Sequence, residues 1–296
     1  MAVDSTSTES DSEGFKLYHY DPSLAAAIIF TLFFAIASIR HFQILFRKKT
    51  WFFIPFLVGC CLECIGYGMR AWSAKQTPDW TLMPYILQNL LILLGPTLFA
   101  ASIYMLLGRI IRHLDAEQFS VISPRWLTKI FLLGDVISIF GQGGGGGLMA
   151  ASDSESTSNL GNTIILLGLG VQVTFFSGFM IVMATFHRRI ASLPTTKARG
   201  TLTRWKTVIW VTYIVSLLIL VRSVFRMIEY AQGNNGSLLQ KEIYIYLLDT
   251  ALMFIVAATM AYFHPGLLLA EERALDDDVI LDQRQTLTSH PYSRMA

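Results

Sequence analysis

The chain alternates long apolar runs with short polar connections. Seven runs stand out, at about 24–45, 51–72, 85–107, 127–149, 163–186, 205–225 and 243–263. Each is close to the ~20 residues that a helix needs to cross the hydrocarbon core of a bilayer. Lipid offers no hydrogen bonds to backbone N–H and C=O groups, so runs of this length must be helical. The pattern predicts an all-α polytopic membrane protein with seven transmembrane helices in residues 22–265. Polar tails, 1–21 and 266–296, flank that domain. The first tail is acidic (Asp4, Glu9, Asp11, Glu13, Asp21 against Lys16) and lacks the basic start and cleavage pattern of a signal peptide. The second carries Asp276, Asp277 and Asp278 and has no apolar period, so disorder is expected there. Trp51, Trp72, Trp126 and Trp205 fall near run ends, where indole rings suit the headgroup level.

Charge fixes the expected orientation. The first, third and fifth connections hold Arg47, Lys48 and Lys49; Arg109, Arg112 and Arg125; and Arg188, Arg189, Lys197, Arg199, Arg204 and Lys206. The second and sixth hold only Lys75 and Lys241, and the fourth (150–162) holds none. By the positive-inside rule the amino terminus is outside and the carboxyl terminus cytosolic. The sequon Asn235-Gly236-Ser237 then lies in an outer loop, and Asn235 is a candidate glycosylation site. At 53% hydrophobic and 15% charged residues, the composition excludes an ordinary soluble domain. There is no basic, aromatic-interleaved surface of the kind that binds nucleic acid. The partners expected are membrane lipids and an amphipathic small molecule, in the plasma membrane or an internal membrane.

The informative residues are polar ones inside the runs. They are Glu63 and Arg70 in the second, Gln88 in the third, Asp135 and Gln142 in the fourth, and Gln172 in the fifth. Arg222, Arg226 and Glu229 end the sixth, and Glu242 and Asp249 begin the seventh. Arg222, Arg226 and Glu229 are spaced by four and three, which stacks them on one helix face. An unpaired charge at a helix centre costs at least ~2.5–3.5 kcal/mol, so such groups mark partners, pathways or ligand sites. Four acids (Glu63, Asp135, Glu229, Asp249) face three arginines (Arg70, Arg222, Arg226). They are expected to converge in one interior chamber that opens toward the outer leaflet. Competing with that reading is an ion-pair network that only fixes helix packing, the better explanation for Arg226 and Glu229. Arg40 and His41 sit where they can snorkel to the cytosolic face.

Other features have plainer readings. Gly143–Gly147 end the fourth run as a hinge, a ligand-lining exit or a frayed helix end. No Lys-Ser/Thr follows, so they are not a phosphate loop. Gly95-Pro96 reads as a kink. Cys60, Cys61 and Cys64 crowd one apolar run and imply no disulfide framework. His41, His113, His187 and His264 sit at inner ends, where headgroup contact is expected, and no histidine completes a metal set with the cysteines. No cofactor and no metal are expected.

The chain resembles the fungal lipid-translocating exporter family, the RTA-like seven-span proteins. The likeness rests on Glu63-x-x-Gly66-Tyr67-x-x-Arg70, on Leu94-Gly95-Pro96 with Ala100, Ala101 and Tyr104, and on Gly134-Asp135-Val136-Ile137-Ser138 with Gln142 and the glycine run. It continues through Gly168-Leu169-x-x-Gln172 and Arg222-Ser223-x-Phe225-Arg226-x-Ile228-Glu229-Tyr230, with Gly233 and Gly236, to Glu242, Tyr246 and Asp249. The motifs run in order from about residue 18 to 265. The resemblance implies export, translocation or resistance directed at sphingoid long-chain bases, sterol-like amphiphiles or other toxic small molecules, and no enzyme activity. A long-chain amine would place its ammonium near Glu63, Asp135 or Asp249. The arginines would hold those acids ionised or meet an anionic head. No nucleotide-binding motif accompanies them. A seven-span receptor or sensor of lipid-like ligands is the alternative. Against it, the chain has no outer-loop cysteine, no acid-Arg pair after the third span and no Asn-Pro-x-x-Tyr turn. A ceramidase-like hydrolase would need clustered in-span His and Asp ligands.

Overall fold

A computed structural model describes residues 22–77, 81–151, 154–200, 204–232 and 242–264. Among them every regular element is helical. In chain order these are α1 (Leu24–Lys48), α2 (Ile54–Lys75), α3 (Leu82–His113), α4 (Pro124–Ala150), α5 (Glu155–Ser192), the short α6 (Thr196–Gly200) and α7 (Arg204–Ala231). The last span is α8 (Glu242–Ile245), a π-helical turn at Tyr246–Thr250 and α9 (Ala251–Tyr262), which form one continuous helix. Both expected tails, most of the loop holding Asn235 and the connection near Pro78 lie outside the described residues.

Local chemistry sets the boundaries. The Ser23 hydroxyl accepts from the Ala26 N–H to cap α1, which ends where Lys49 takes a left-handed φ of 51°. Prolines near the first positions of α2 and α4, Pro55 and Pro124, lose no helical hydrogen bond there. Several helices outrun their apolar stretches. At 38 residues α5 is about 57 Å long, well beyond a ~30 Å hydrocarbon core.

Successive helices pack as neighbours around a ring, α1 to α2, α3, α4, α5, α7 and α9, and α9 returns to α1. The ring is pinched, because α3 also touches α5 and α7. Accordingly, 72% of the apolar window of α3 is buried against 22% for α1, which makes α3 the central staff. Large apolar side chains stay exposed around the outside, among them Ile36, Phe140, Leu167, Ile181 and Trp210. Such a belt is an aggregation hazard in water and the normal surface of a helix in lipid.

The chain is an integral membrane protein, and six helices among the described residues are long and apolar enough to cross a membrane: Leu24–Lys48, Trp51–Lys75, Met83–His113, Ser156–Ser192, Trp205–Ala231 and Glu242–Tyr262. The fourth expected span forms a helix of 27 residues, long enough to cross. Its apolar character is diluted by Arg125, Lys129, Asp135, Gln142 and the glycines.

The basic connections share one end of the bundle. Lys197 pairs with Asp115 at 2.7 Å, the Thr195 hydroxyl donates to the Leu114 carbonyl, and the Arg109 guanidinium lies 4.1 Å from the Phe52 ring centroid. At the opposite end the Ser23 N–H donates to both oxygens of Glu242, and the Asn162 amide donates to the Tyr230 carbonyl.

Three expectations are corrected. Gly143–Gly147 do not fray; α4 runs through them. A Cβ on Gly145 would stand 2.5 Å from the Gly161 carbonyl oxygen, and one on Gly161 would stand 2.6 Å from that of Gly145. With Gly141 against Gly168, these form a small-residue seam that lets α4 and α5 touch backbone to backbone. His41 and His264 are buried rather than in headgroup contact. The His41 Nε2 meets the Ala257 carbonyl at 3.0 Å, and His264 packs on the Phe53 ring. Trp205 is also interior, and its indole N–H donates to the Ala198 carbonyl. Trp51, Trp72 and Trp126 are exposed as a headgroup belt requires.

Candidate functional site

The intramembrane polar residues fall into two groups on opposite faces of α3. The first begins at Pro96. Proline has no N–H, so the carbonyl four residues earlier, that of Ile92, loses its helical partner. Arg222 of α7 fills the gap, and its Nη2 donates to the Ile92 oxygen at 3.0 Å. The Nε of the same guanidinium meets Asp249 Oδ1 at 2.5 Å. One side chain thus bridges a proline break in α3 and a π-turn in the last span. Both are irregularities of the kind that gather at functional positions.

Arg226, one turn on from Arg222, donates to Glu229 Oε2 at 2.8 Å and stands 3.7 Å from Asp249 Oδ2. Glu63 of α2 completes the set, within electrostatic range of Asp249, Arg222 and Arg226. Its carboxylate rests on Gly95, where a Cβ would stand 2.6 Å from Oε1. Gly59 meets the Gly95 carbonyl in the same way, so two glycines seat the acid between α2 and α3. Hydrogen-bonding capacity is left over. Both Glu63 oxygens, Arg222 Nη1, Arg226 Nε and Asp249 Oδ2 lack a hydrogen-bond partner among the described residues.

Toward the end of the bundle where α2 finishes, Arg70 pairs with Glu242 at 2.9 Å, donates from Nε to the Tyr246 hydroxyl at 3.1 Å and lies over the Tyr246 ring. The Tyr67 hydroxyl and Thr250 Oγ1 are 2.6 Å apart. Arg70 therefore serves Glu242 rather than Glu63, although both lie on one face of α2. Gln88 is buried on α3, one turn before Ile92.

The second group lies between α3, α4 and α5. Gly95 and Tyr104 are nine residues apart on α3, which places them half a turn round and about 13 Å along the axis. Tyr104 faces Asp135 of α4, and its hydroxyl is the donor placed to hydrogen-bond that carboxylate. One and two turns on, the Gln142 amide donates to the Ser138 hydroxyl and, at 3.2 Å, to Gln172 Oε1, so Gln142 and Gln172 lock α4 to α5 beside the glycine seam.

The ten sequence-predicted site residues are thus not one constellation. Glu63, Arg222, Arg226, Glu229 and Asp249 are brought together. Arg70 stands beside them with Glu242, whereas Asp135, Gln142 and Gln172 sit across α3. Glu63, Asp135 and Asp249 are each only 1% exposed, so this conformation closes them to solvent, and the wet outward chamber is not seen at them. Asn235 lies outside the described residues. Among the described residues, no three or more His, Cys, Asp or Glu side chains gather as metal ligands. Sequence reasoning missed the Ile92 carbonyl. Its signal was legible, because an in-helix proline frees the acceptor four positions before it.

Fold and site define a polytopic helical membrane protein with a buried, partly unsatisfied charge cluster between its spans. The chain belongs to the RTA1 like protein family, whose family model matches residues 56–272. It is 34% identical over 269 residues to Protein RTA1 of Saccharomyces cerevisiae, covering 82% of this chain and 83% of the relative. Protoporphyrin uptake protein 1 of the same yeast is 35% identical over 282 residues, covering 82% and 90%. Sphingoid long-chain base transporter RSB1, also from that yeast, is 28% identical over 279 residues, covering 83% and 72%. No solved structure matches the chain.

Proposed function

We propose that this protein translocates amphipathic lipids or toxic small molecules of the sphingoid long-chain base type across its membrane, and so confers resistance to them. In this reading α4 is a seventh span, the amino terminus is outside and the carboxyl terminus cytosolic. The observation that carries the proposal is the cluster of Arg222, Asp249, Arg226, Glu229 and Glu63. Five of its buried polar atoms lack a hydrogen-bond partner among the described residues, and it straddles two weak points in the helices, Pro96 and the π-turn. A purely structural network would be expected to satisfy itself. A site that exchanges internal partners for a head group keeps capacity in reserve.

The relatives support an amphiphile as cargo. One is named a transporter of sphingoid long-chain bases and another an uptake protein for protoporphyrin, and both cargoes join a broad apolar body to charged groups. Glu63, Arg70, Gln88, Asp135, Gln142, Gln172, Arg222, Arg226, Glu229 and Asp249 are the proposed residues that meet the polar part. Because the acids are closed here, use of them requires neighbouring helices to separate, and Pro96 and the π-turn are where the spans can bend. The test is movement of a labelled long-chain base in vesicles holding the purified protein, with and without a pH gradient. Faster movement than in protein-free vesicles is expected, and equal rates would reject the reading.

A further inference from the structure

The two polar groups differ in what they lack. Around Asp249 and Glu63, Arg222 and Arg226 already supply positive charge. Asp135 has no such companion. It joins no ion pair among the described residues, and the side chain placed to hydrogen-bond it is the hydroxyl of Tyr104, a neutral group. A buried carboxylate without a counter-charge is costly inside a membrane. What it lacks is a compact cation that donates hydrogen bonds.

The surroundings suit that cation. The Tyr104 ring packs with Phe131, Phe176 and Phe179 at centroid separations of 5.6, 6.0 and 4.6 Å, and all four rings are buried. Aromatic rings grouped around a carboxylate are the environment that recognises an ammonium, through cation–π attraction beside a charge-assisted hydrogen bond. The site also lies beside the lipid-facing surface. Leu132 and Val136, which flank Asp135 round the same helix, are 37% and 36% exposed. A single alkyl chain lying on that face would stay in the bilayer while its head group turned inward.

We infer that Asp135 and Tyr104 form an ammonium site for the amine head of a long-chain cationic amphiphile that enters sideways from the bilayer. The arginine cluster across α3 is then left for the other polar groups of the cargo. This rests on the translocator reading and deepens it, by assigning the amine to one side of α3.

The test uses the full chain in lipid nanodiscs and two labelled probes, a sphingoid base and a fatty acid of equal chain length. Binding is measured for wild type, Asp135→Asn, Asp135→Glu and Tyr104→Phe, alongside melting temperature. Expected is a loss of about tenfold or more in sphingoid-base affinity for Asp135→Asn, substantial recovery in Asp135→Glu, and a smaller loss in Tyr104→Phe. Fatty-acid binding should hold in all three, and melting temperature should not fall in Asp135→Asn. Unchanged base affinity in Asp135→Asn overturns the inference. So does equal loss of both probes, which marks Asp135 as a packing residue. If wild type binds the base through Asp135 but moves nothing in vesicles, the site stands and the translocator reading falls.

Discussion

Replacing Arg222 by Gln strands two groups at once. Asp249 loses its 2.5 Å partner and keeps only Arg226, 3.7 Å away. Removing one member of a buried pair costs about 3–5 kcal/mol. The Ile92 carbonyl, which receives nothing from Pro96, loses the 3.0 Å bond from Nη2, worth a further ~1–3 kcal/mol. Asp249→Asn is gentler, because Arg222 keeps the Ile92 carbonyl and has Glu63 within electrostatic range, so about 1–3 kcal/mol is expected. Once Arg222 is gone, removing the Asp249 charge relieves part of the strain. The double variant should therefore be milder than the sum of the singles by about 2 kcal/mol. The assay is reversible unfolding in mixed micelles, with surface expression as a second measure. Equal costs for the two singles, or strict additivity, would refute the account of how Arg222 is held.

The remaining expectations follow from the same contacts. In a Pro96→Ala background residue 96 regains its N–H, so Arg222→Gln should cost ~1 kcal/mol less than in wild type, read by the same unfolding cycle. Gly145→Leu forces a side chain into the Gly161 backbone and should destabilise by about 1–3 kcal/mol or more. Gly146→Ala has open space beside it and should stabilise by roughly 0.5–1 kcal/mol, so the pair separates seam from helix propensity by melting alone. His264, just past the last span, has its pKa lowered to about 3 by burial and by neighbouring His41. The fold therefore holds it neutral where the unfolded chain, with a pKa near 6.5, takes up a proton. Its contribution is complete above about pH 6.5 and is lost as the pH falls toward 3, so melting should drop between pH 7 and 5 and drop less in His264→Gln.

The helices were legible because lipid allows a run of apolar residues no alternative; each expected run became a helix. Their ends were less so. The last turns of α3 and α5 continue on Arg112, His113, Arg188 and Arg189, which carry no apolar signal. The glycines of α4 were misread because glycine lowers helix propensity in isolation, whereas here Gly145 and Gly161 gain a neighbouring backbone that no single-chain pattern reveals. The charge cluster was half visible. Spacing put Arg222, Arg226 and Glu229 on one face, and Asp249 was conspicuous in an apolar run. Which acid belongs to which arginine was not visible, because partners on different spans are matched by packing. Hence the sequence did not reveal that Arg70 serves Glu242, and Asp135 was grouped with acids from which α3 separates it.

The central claim is that the fork of Arg222, gripping Asp249 and the proline-freed Ile92 carbonyl together, is a working part of the translocator. Arg222→Lys tests it most directly, because lysine keeps the charge but is a point donor without the rigid planar fork that holds two acceptors at once. The measurement is the rate of labelled long-chain base movement across vesicles holding equal amounts of folded wild type or Arg222→Lys. The account predicts a rate lower by about tenfold or more, the loss of roughly one charge-assisted hydrogen bond at the step that sets the rate. Equal rates for the two proteins would contradict it.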